Sequence, residues 1–222
     1  MPVASVASAG KRRGRIYVLA GTNGAGKSSI GGEAFREAGV DFFNPDEAAR
    51  RIHAAQPGLT QTEVNSAAWH QGRRLLEAAI GNRLDFAFET TLGGETMTQL
   101  LERAAEAGFE LRVWYAGLAS PELHIERVRR RVAKGGHDIA EADIRRRYDQ
   151  SRLNLIRLLP RLTELRLYDN SEEADPDAGR EPAPKLLLHW RSGRIVAPRD
   201  FKDTPDWGKP IVAAAMKLAG FA

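Results

Sequence analysis

An α/β architecture, a mostly parallel sheet flanked by helices with a helical lid and a C-terminal β-hairpin plus helix, is what this sequence predicts. Three observations carry the prediction. Apolar strand-like runs alternate with helical patterns from Ile16 onward, a glycine-rich turn separates the first run from the first helical pattern, and an arginine-rich stretch is divided by a glycine pair. Alternation of this kind is what parallel strands joined by crossover helices produce.

In chain order, Ile16-Tyr17-Val18-Leu19-Ala20 reads as a buried strand and Lys27 to Ala38 as a helix. Phe42 and Phe43 form a short apolar run, Thr60 to Ile80 a second helical pattern, Phe86 to Glu89 a strand, and Glu95 to Ala107 a helix. Thr60 with Glu63 makes a capping box, and Ser120-Pro121 puts a cap residue before a proline suited to the first helical position. Gly39, Gly81 and Gly108 are placed to take left-handed turns at helix ends. Met97, Leu100, Leu101 and Ala104 fall on one helical face, whereas Leu111, Val113 and Tyr115 alternate as a strand does. From 119 to 159 the pattern is helix, glycine-containing loop, helix, with Ile125, Val128 and Val132 inward before the loop and Ile144, Tyr148, Leu155 and Leu159 after it. A strand at Leu165 to Tyr168 follows, then an exposed acidic loop over about 171–184, a hairpin turning at Ser192-Gly193, and a closing helix at Ile211 to Leu218. With 222 residues, the chain is expected to hold a flexible basic N-terminus (1–14) and one domain (15–222).

The glycine-rich turn is GTNGAGKSS. Gly21, Thr22, Asn23, Gly24, Ala25, Gly26, Lys27 and Ser28 satisfy G-x-x-x-x-G-K-[ST], and Ser29 completes the stretch. Glycines let successive backbone N–H groups point into one concavity at a helix N-terminus, Lys27 reaches the outer phosphates, and the Ser28 hydroxyl is placed for Mg²⁺. The expected ligand is a nucleoside triphosphate, ATP, and the expected architecture is the P-loop NTPase fold.

Motors, switches and kinases share this loop, so discrimination comes from the other strand ends. Asp46 follows VDFFNP and has two readings: a general base taking the proton of an incoming hydroxyl, or the cap of the helical pattern Glu47 to His53. Glu89 ends LDFAFE, and Thr90 and Thr91 after it offer hydroxyls to a substrate; Glu89 can orient that substrate, assist Mg²⁺, or simply begin a loop. The block from 127 to 152 carries Arg127, Arg130, Arg131 and Lys134 before Gly135-Gly136 and Arg145, Arg146 and Arg147 after it. That layout suits a lid that excludes water and brings guanidinium groups to a transferred phosphoryl, although several of these arginines must belong to a solvated, salt-bridged helix face. His137 reads as a loop residue.

Composition narrows the class. There is no cysteine, so no disulfide; no span is apolar enough for a bilayer; and the first fifteen residues lack the charge order and apolar centre of a secretory signal, which makes the cytoplasm the expected location. The formal charge of +4 is concentrated in the N-terminal basic cluster and the arginine block. A nucleic-acid-associated ATPase or polynucleotide kinase is the alternative, but no aromatic cluster accompanies the arginines, so nucleic acid is not the expected partner. A nucleotide switch lacks a guanine-side motif.

GTNGAGKSS, NPDEAAR, FETTLGG, RVAKGGHDIAEADIRRRY and LYDNS together resemble the zeta-toxin-type P-loop kinases in their compact bacterial form, over about 21–171. The resemblance implies an ATP-dependent phosphotransferase acting on a hydroxyl of a small molecule, in characterised members the amino-sugar of UDP-N-acetylglucosamine. It further implies Lys27 and Ser28 as nucleotide and Mg²⁺ residues, Asp46 as base, Glu89 and Thr91 on the substrate side, and Arg131 and Arg146 as lid arginines. A separate antitoxin protein is a family-level expectation. The Gly-Gly-His in the lid departs from better-known members, and no matching sugar-binding segment is recognisable.

Overall fold

The computed structural model describes residues 13–28, 30–31, 35, 42–136, 138–172 and 183–221. The expectations for residues 1–12, Ser29, Gly39 and His137, for most of the helix running to Ala38, and for most of the acidic loop lie outside the described residues.

A seven-stranded sheet is the centre of the molecule, built from β1 (Arg15–Ala20), β2 (Phe42–Phe43), β3 (Phe86–Thr90), β4 (Glu110–Gly117), β5 (Glu164–Asp169), β6 (Lys185–Arg191) and β7 (Arg194–Ala197). Their spatial order is β2-β3-β1-β4-β5-β6-β7. The first five strands run parallel, and β6 and β7 continue the sheet antiparallel beyond β5. The predicted hairpin is present, with Ser192 and Gly193 both at positive φ as a tight two-residue turn demands. It extends the main sheet through the pairing of β5 with β6.

β1 is apolar at successive positions because both of its faces are covered. Ile16, Val18 and Ala20 join the principal core with Phe88, Leu101, Leu111 and Leu165, whereas Tyr17 and Leu19 face the other way toward Ala87 and Trp114. The helices are α1 (Pro45–Ala55), α2 (Gln61–Asn82), α3 (Glu95–Glu106), α4 (Pro121–Ala133), α5 (Glu141–Leu158) and α6 (Lys209–Leu218). The chain is also helical at Lys27, Ser28, Ile30, Gly31 and Phe35. Among the described residues, no helix is long and apolar enough to cross a membrane.

Both predicted caps form. Thr60 and Glu63 make the reciprocal bonds of a capping box, and the Ser120 hydroxyl accepts from Leu123 N–H at 3.2 Å ahead of Pro121. One helix end differs. Gly81 stays helical and Arg83 takes the left-handed position at φ 56°, with the Leu84 N–H closing back onto the Ala79 carbonyl at 2.9 Å. Two further residues of helix bring the chain to the start of β3, where the Asp85 carboxylate accepts from Arg15 N–H at 2.9 Å. Local propensity favours glycine at such a turn, and the connection to the strand overrides it.

The predicted lid is α4, a glycine loop and the first half of α5. Ile125, Val128 and Ile144 form a small core of their own there, separate from the principal one, which begins at Leu155 in the second half of α5. Its outward arginines are largely paired: Arg145 with Glu122 at 2.6 Å, Arg146 with Asp143 at 2.8 Å, Arg129 with Glu141 and Arg130 with Glu126.

Candidate active site

The carboxyl ends of β1 and β3, together with the following turns, face α1, α2 and the lid across a cavity of about 550 Å³. Lys27, Asp46, Glu89, Thr90, Thr91, Arg131 and Arg146 all line it, as do Asn23 and Gly24. Thus side chains separated by more than a hundred residues in the sequence converge at the edge of the sheet where ligands of open α/β folds bind.

The loop after β1 holds its shape through glycine. Gly21, Gly24 and Gly26 have φ of 139°, 83° and 72°. A Cβ on Gly21 would lie 2.2 Å from the Ala116 carbonyl oxygen, and one on Gly24 would lie 2.7 Å from that of His124. Both clashes are with backbone, which cannot rotate away. Gly21→Ala is therefore expected to cost about 3 kcal/mol and to lower the melting temperature by roughly 6–12 °C, measured by scanning calorimetry; an unchanged melting temperature would refute the clash.

Neighbouring elements tie the loop down. Buried Asn170, just past β5, donates to the Ala25 carbonyl at 2.9 Å. Arg147 of α5 donates to Asn23 Oδ1 at 2.8 Å, and His124 Nδ1 lies 2.7 Å from the Asn23 carbonyl. His124 is 1% exposed, and burial pushes its pKa down to about 4, against the opposing pull of its bond to Asn23 and with help from Lys27 and Arg127. The ring is therefore neutral at pH 7, donating from Nδ1.

His124 gives a stability prediction with a definite sign. An unfolded histidine takes up a proton as pH falls through 6.5, whereas the folded one resists until about 4. The unfolded state thus binds more protons between these values, and stability is lost as pH falls through that window. Between pH 7 and pH 5 the loss is expected to be about 2 kcal/mol. His124→Asn, which keeps a donor near Nδ1 and removes the titration, should flatten that slope in urea denaturation at stepped pH; an unaltered slope would refute it.

Lys27 is 8% exposed, and its ammonium donates to the Gly21 carbonyl at 2.9 Å and pairs with Glu89 at 3.3 Å. Glu89 also accepts from Asn44 Nδ2 at 3.5 Å. The cap of α1 is Asn44, whose Oδ1 accepts from the Asp46 and Glu47 N–H groups at 2.8 and 3.3 Å. This corrects the capping alternative for Asp46: its carboxylate is not spent on the helix end and lines the cavity, with Oδ2 3.5 Å from Arg131 Nη1. Ser28 lies exposed on the first helical turn after the loop.

The hydroxyls of Thr90 and Thr91 accept from the N–H groups of Leu92 and Gly93 at 3.0 and 3.4 Å, shaping the turn after β3. Behind that turn is a polar support that sequence reasoning missed. Tyr115 and Ser151 hydroxyls lie 2.9 Å apart, Ser151 donates to the Thr91 carbonyl at 2.6 Å, and Asn154 donates to the Leu92 carbonyl at 2.8 Å. Burial pushes the Tyr115 phenol up to about 12, so it keeps its proton and donates to Ser151. Polar residues three apart within the apolar stripe of α5 were the available signal. Arg147 adjoins Arg146 in the same run of three; both line the cavity, Arg146 paired with Asp143 and Arg147 on the loop. Among the described residues, no group of three or more His, Asp or Glu is arranged to hold a metal ion.

A second cavity of about 760 Å³ lies between α1 and the C-terminal end of α4, sharing Asp46 and Arg131 with the first. Arg50, His53, Arg127, Arg130 and Lys134 give it a cationic lining.

Comparison with known proteins agrees with the geometry. An uncharacterized protein of Haemophilus influenzae is 33% identical over 129 residues, 58% of this chain and 88% of that protein. The crystal structure of AvrRxo1-ORF1:-ORF2 with ATP superposes with a TM-score of 0.61 at 14% identity, over 91% of this chain. This chain spans only 64% of that one. The PezAT chromosomal toxin-antitoxin system of Streptococcus pneumoniae superposes with a TM-score of 0.53 at 16% identity, over 96% of this chain and 90% of that one. At these identities the superpositions speak for the fold. The sequence pattern of the Zeta toxin family matches residues 5–173, the phosphate loop among them, and the chain belongs to the zeta toxin family.

Proposed function

We propose that this chain transfers the γ-phosphate of ATP to a hydroxyl of a small molecule, a nucleotide sugar of the UDP-N-acetylglucosamine type. The observation that carries the proposal is the convergence of Lys27, Asp46, Glu89 and the lid arginines on one cavity beside the phosphate loop. The main-chain amides of 21–28 cradle the β- and γ-phosphates, and Lys27 exchanges the Gly21 carbonyl and Glu89 for phosphate oxygens. The acceptor oxygen forms a bond to the γ-phosphorus as the bond to the β-phosphate oxygen breaks, its proton passes to Asp46, and ADP leaves. Glu89, Thr90 and Thr91 orient the acceptor, and Arg131 and Arg146 meet the charge spread over the transferred group. The hydroxyl of Ser28 and the carboxylate of Glu89, beside the loop, are donors of the kind a hard divalent cation takes, its remaining ligands coming from phosphates and water. Mg²⁺ held there would neutralise charge on the bridging phosphate oxygens.

The cationic second cavity supplies the motive for a nucleic-acid reading. No aromatic Phe, Tyr or Trp is among the described residues lining it, so it lacks the platforms on which single-stranded bases stack, and the small-molecule reading is favoured. ATP use suits a cytoplasmic setting, and a separate protein that blocks the cavity is the partner we expect, as PezAT is a toxin-antitoxin system. Incubating the protein with ATP·Mg²⁺ and a panel of UDP-sugars, nucleosides and other hydroxyl metabolites, followed by ³¹P NMR, tests the proposal. A new phosphomonoester resonance formed with ADP supports it, and ADP with inorganic phosphate alone across the panel refutes it.

A further inference from the structure

The lining of the cavity is of two chemical kinds. Lys27, Asp46, Glu89 and the arginines are charged, whereas Phe43, Ala68, Trp69, Phe88 and Met97 are apolar. Trp69 is 38% exposed, while Trp114, Trp190 and Trp207, the other three of the four tryptophans, are 6%, 2% and 3% exposed. An indole costs water-ordering surface when left open, and large side chains of this kind are normally covered.

Its placement is set by α2. Asn65, Ser66, Ala68, Trp69 and Gly72 line the cavity at the spacing of one helical face. Val64 and Ala68 of the same helix pack on Ala48 and Ala49 of α1, the helix that carries Asp46. Trp69 and Asp46 therefore stand on one packed helix pair and line one cavity whose volume is in the range of small-molecule sites. Arg73 lies over the Trp69 ring at 5.7 Å, and His70 meets it edge-on at 4.9 Å, so neighbours fix the indole.

We propose that Trp69 is the stacking platform for the acceptor: a flat ring of the acceptor lies on the indole while the acceptor's hydroxyl reaches Asp46. The inference rests on the kinase reading for the identity of the ligand as acceptor. It adds that the acceptor must carry a face that can stack, a heteroaromatic base or the C–H face of a sugar, to one side of its reactive hydroxyl. Short aliphatic alcohols lack that element and are excluded as substrates.

Acrylamide, a neutral quencher indifferent to the nearby arginines, reads Trp69 directly because the other three tryptophans are buried. Trp69→Phe should remove the accessible component of the emission. In the wild-type protein, uridine, N-acetylglucosamine and UDP-N-acetylglucosamine are added singly, and protection by the first or the second identifies base or sugar as the stacked ring. In turnover, Trp69→Ala should raise the acceptor's KM about tenfold to a hundredfold, Trp69→Phe should recover most of it, and the KM for ATP should not move. The inference is overturned if no probe protects Trp69, if ATP·Mg²⁺ alone protects it as fully, or if Trp69→Ala leaves the acceptor's KM unchanged while transfer proceeds. Protection by a probe without any phosphoryl transfer would instead sink the kinase reading and leave the stacking site standing.

Discussion

Lys27→Met is expected to lower kcat for phosphoryl transfer by about a thousandfold or more, since the outer phosphates lose the one lysine of the loop and with it the charge that meets them in the transition state. The same change has a structural consequence. Lys27 and Glu89 are 8% and 15% exposed and 3.3 Å apart, so methionine leaves a largely buried carboxylate with, among the described residues, only the long Asn44 contact. Breaking such a pair from one side is expected to cost about 2–3 kcal/mol. Glu89→Gln in the same chain should return most of that stability, measured by urea denaturation, and return none of the activity. That dissociation separates a phosphate-binding lysine from one kept for folding. Retention of a tenth of wild-type kcat in Lys27→Met would defeat the phosphate-loop account.

The pairing also bears on how the loop would take a triphosphate. The Lys27 ammonium is bonded to the Gly21 carbonyl and to Glu89. On the proposed chemistry a phosphate takes the place of both partners, while Asn170, His124 and Arg147 hold the loop from outside. Preorganised amides need no rearrangement at the moment of reaction, which is where electrostatic stabilisation has most effect.

How far the sequence could be read follows from the range of the interactions involved. The phosphate loop was legible because its requirements are local: glycines at positive φ, a lysine one residue after the third, a strand before and a helix after. The capping box at Thr60 and the hairpin at Ser192-Gly193 were legible for the same reason. The contacts that hold the loop were not. His124, Asn170 and Arg147 lie 101, 145 and 124 residues from their loop partners, and although Arg147 and Asn170 fall within stretches already singled out, nothing in their own neighbourhoods says which backbone they meet. Asp46 shows the limit from the other side. Pattern alone leaves it balanced between base and cap, because asparagine and aspartate are both favoured cap residues, and only the bonds from Asn44 Oδ1 decide which one acts here. The choice among Arg145, Arg146 and Arg147 likewise turned on which faces of α5 meet the loop, the glutamate of α4 and the solvent.

Asp46→Asn is the second change with a large expected effect, a fall in kcat of about a hundredfold to ten-thousandfold. It is a clean test because the helix does not depend on this side chain: Asn44 makes the cap, and only the backbone N–H of Asp46 takes part. The half-exposed pair with Arg131 contributes about 0–1 kcal/mol, so the melting temperature should stay within a few degrees and the KM for ATP should hold. Arg131 supplies the control. Its guanidinium lies against Asp46 at 3.5 Å, yet the proposed chemistry requires it on the phosphoryl group and the carboxylate free for the acceptor's proton. The two residues then act as a unit, and their losses should not add: Asp46→Asn with Arg131→Ala should fall short of the product of the two single effects. Full multiplicativity would mean that the ion pair is an incidental surface contact, and a kcat for Asp46→Asn within threefold of wild type would mean that another group, with Glu89 a carboxylate candidate on the same cavity, receives the proton.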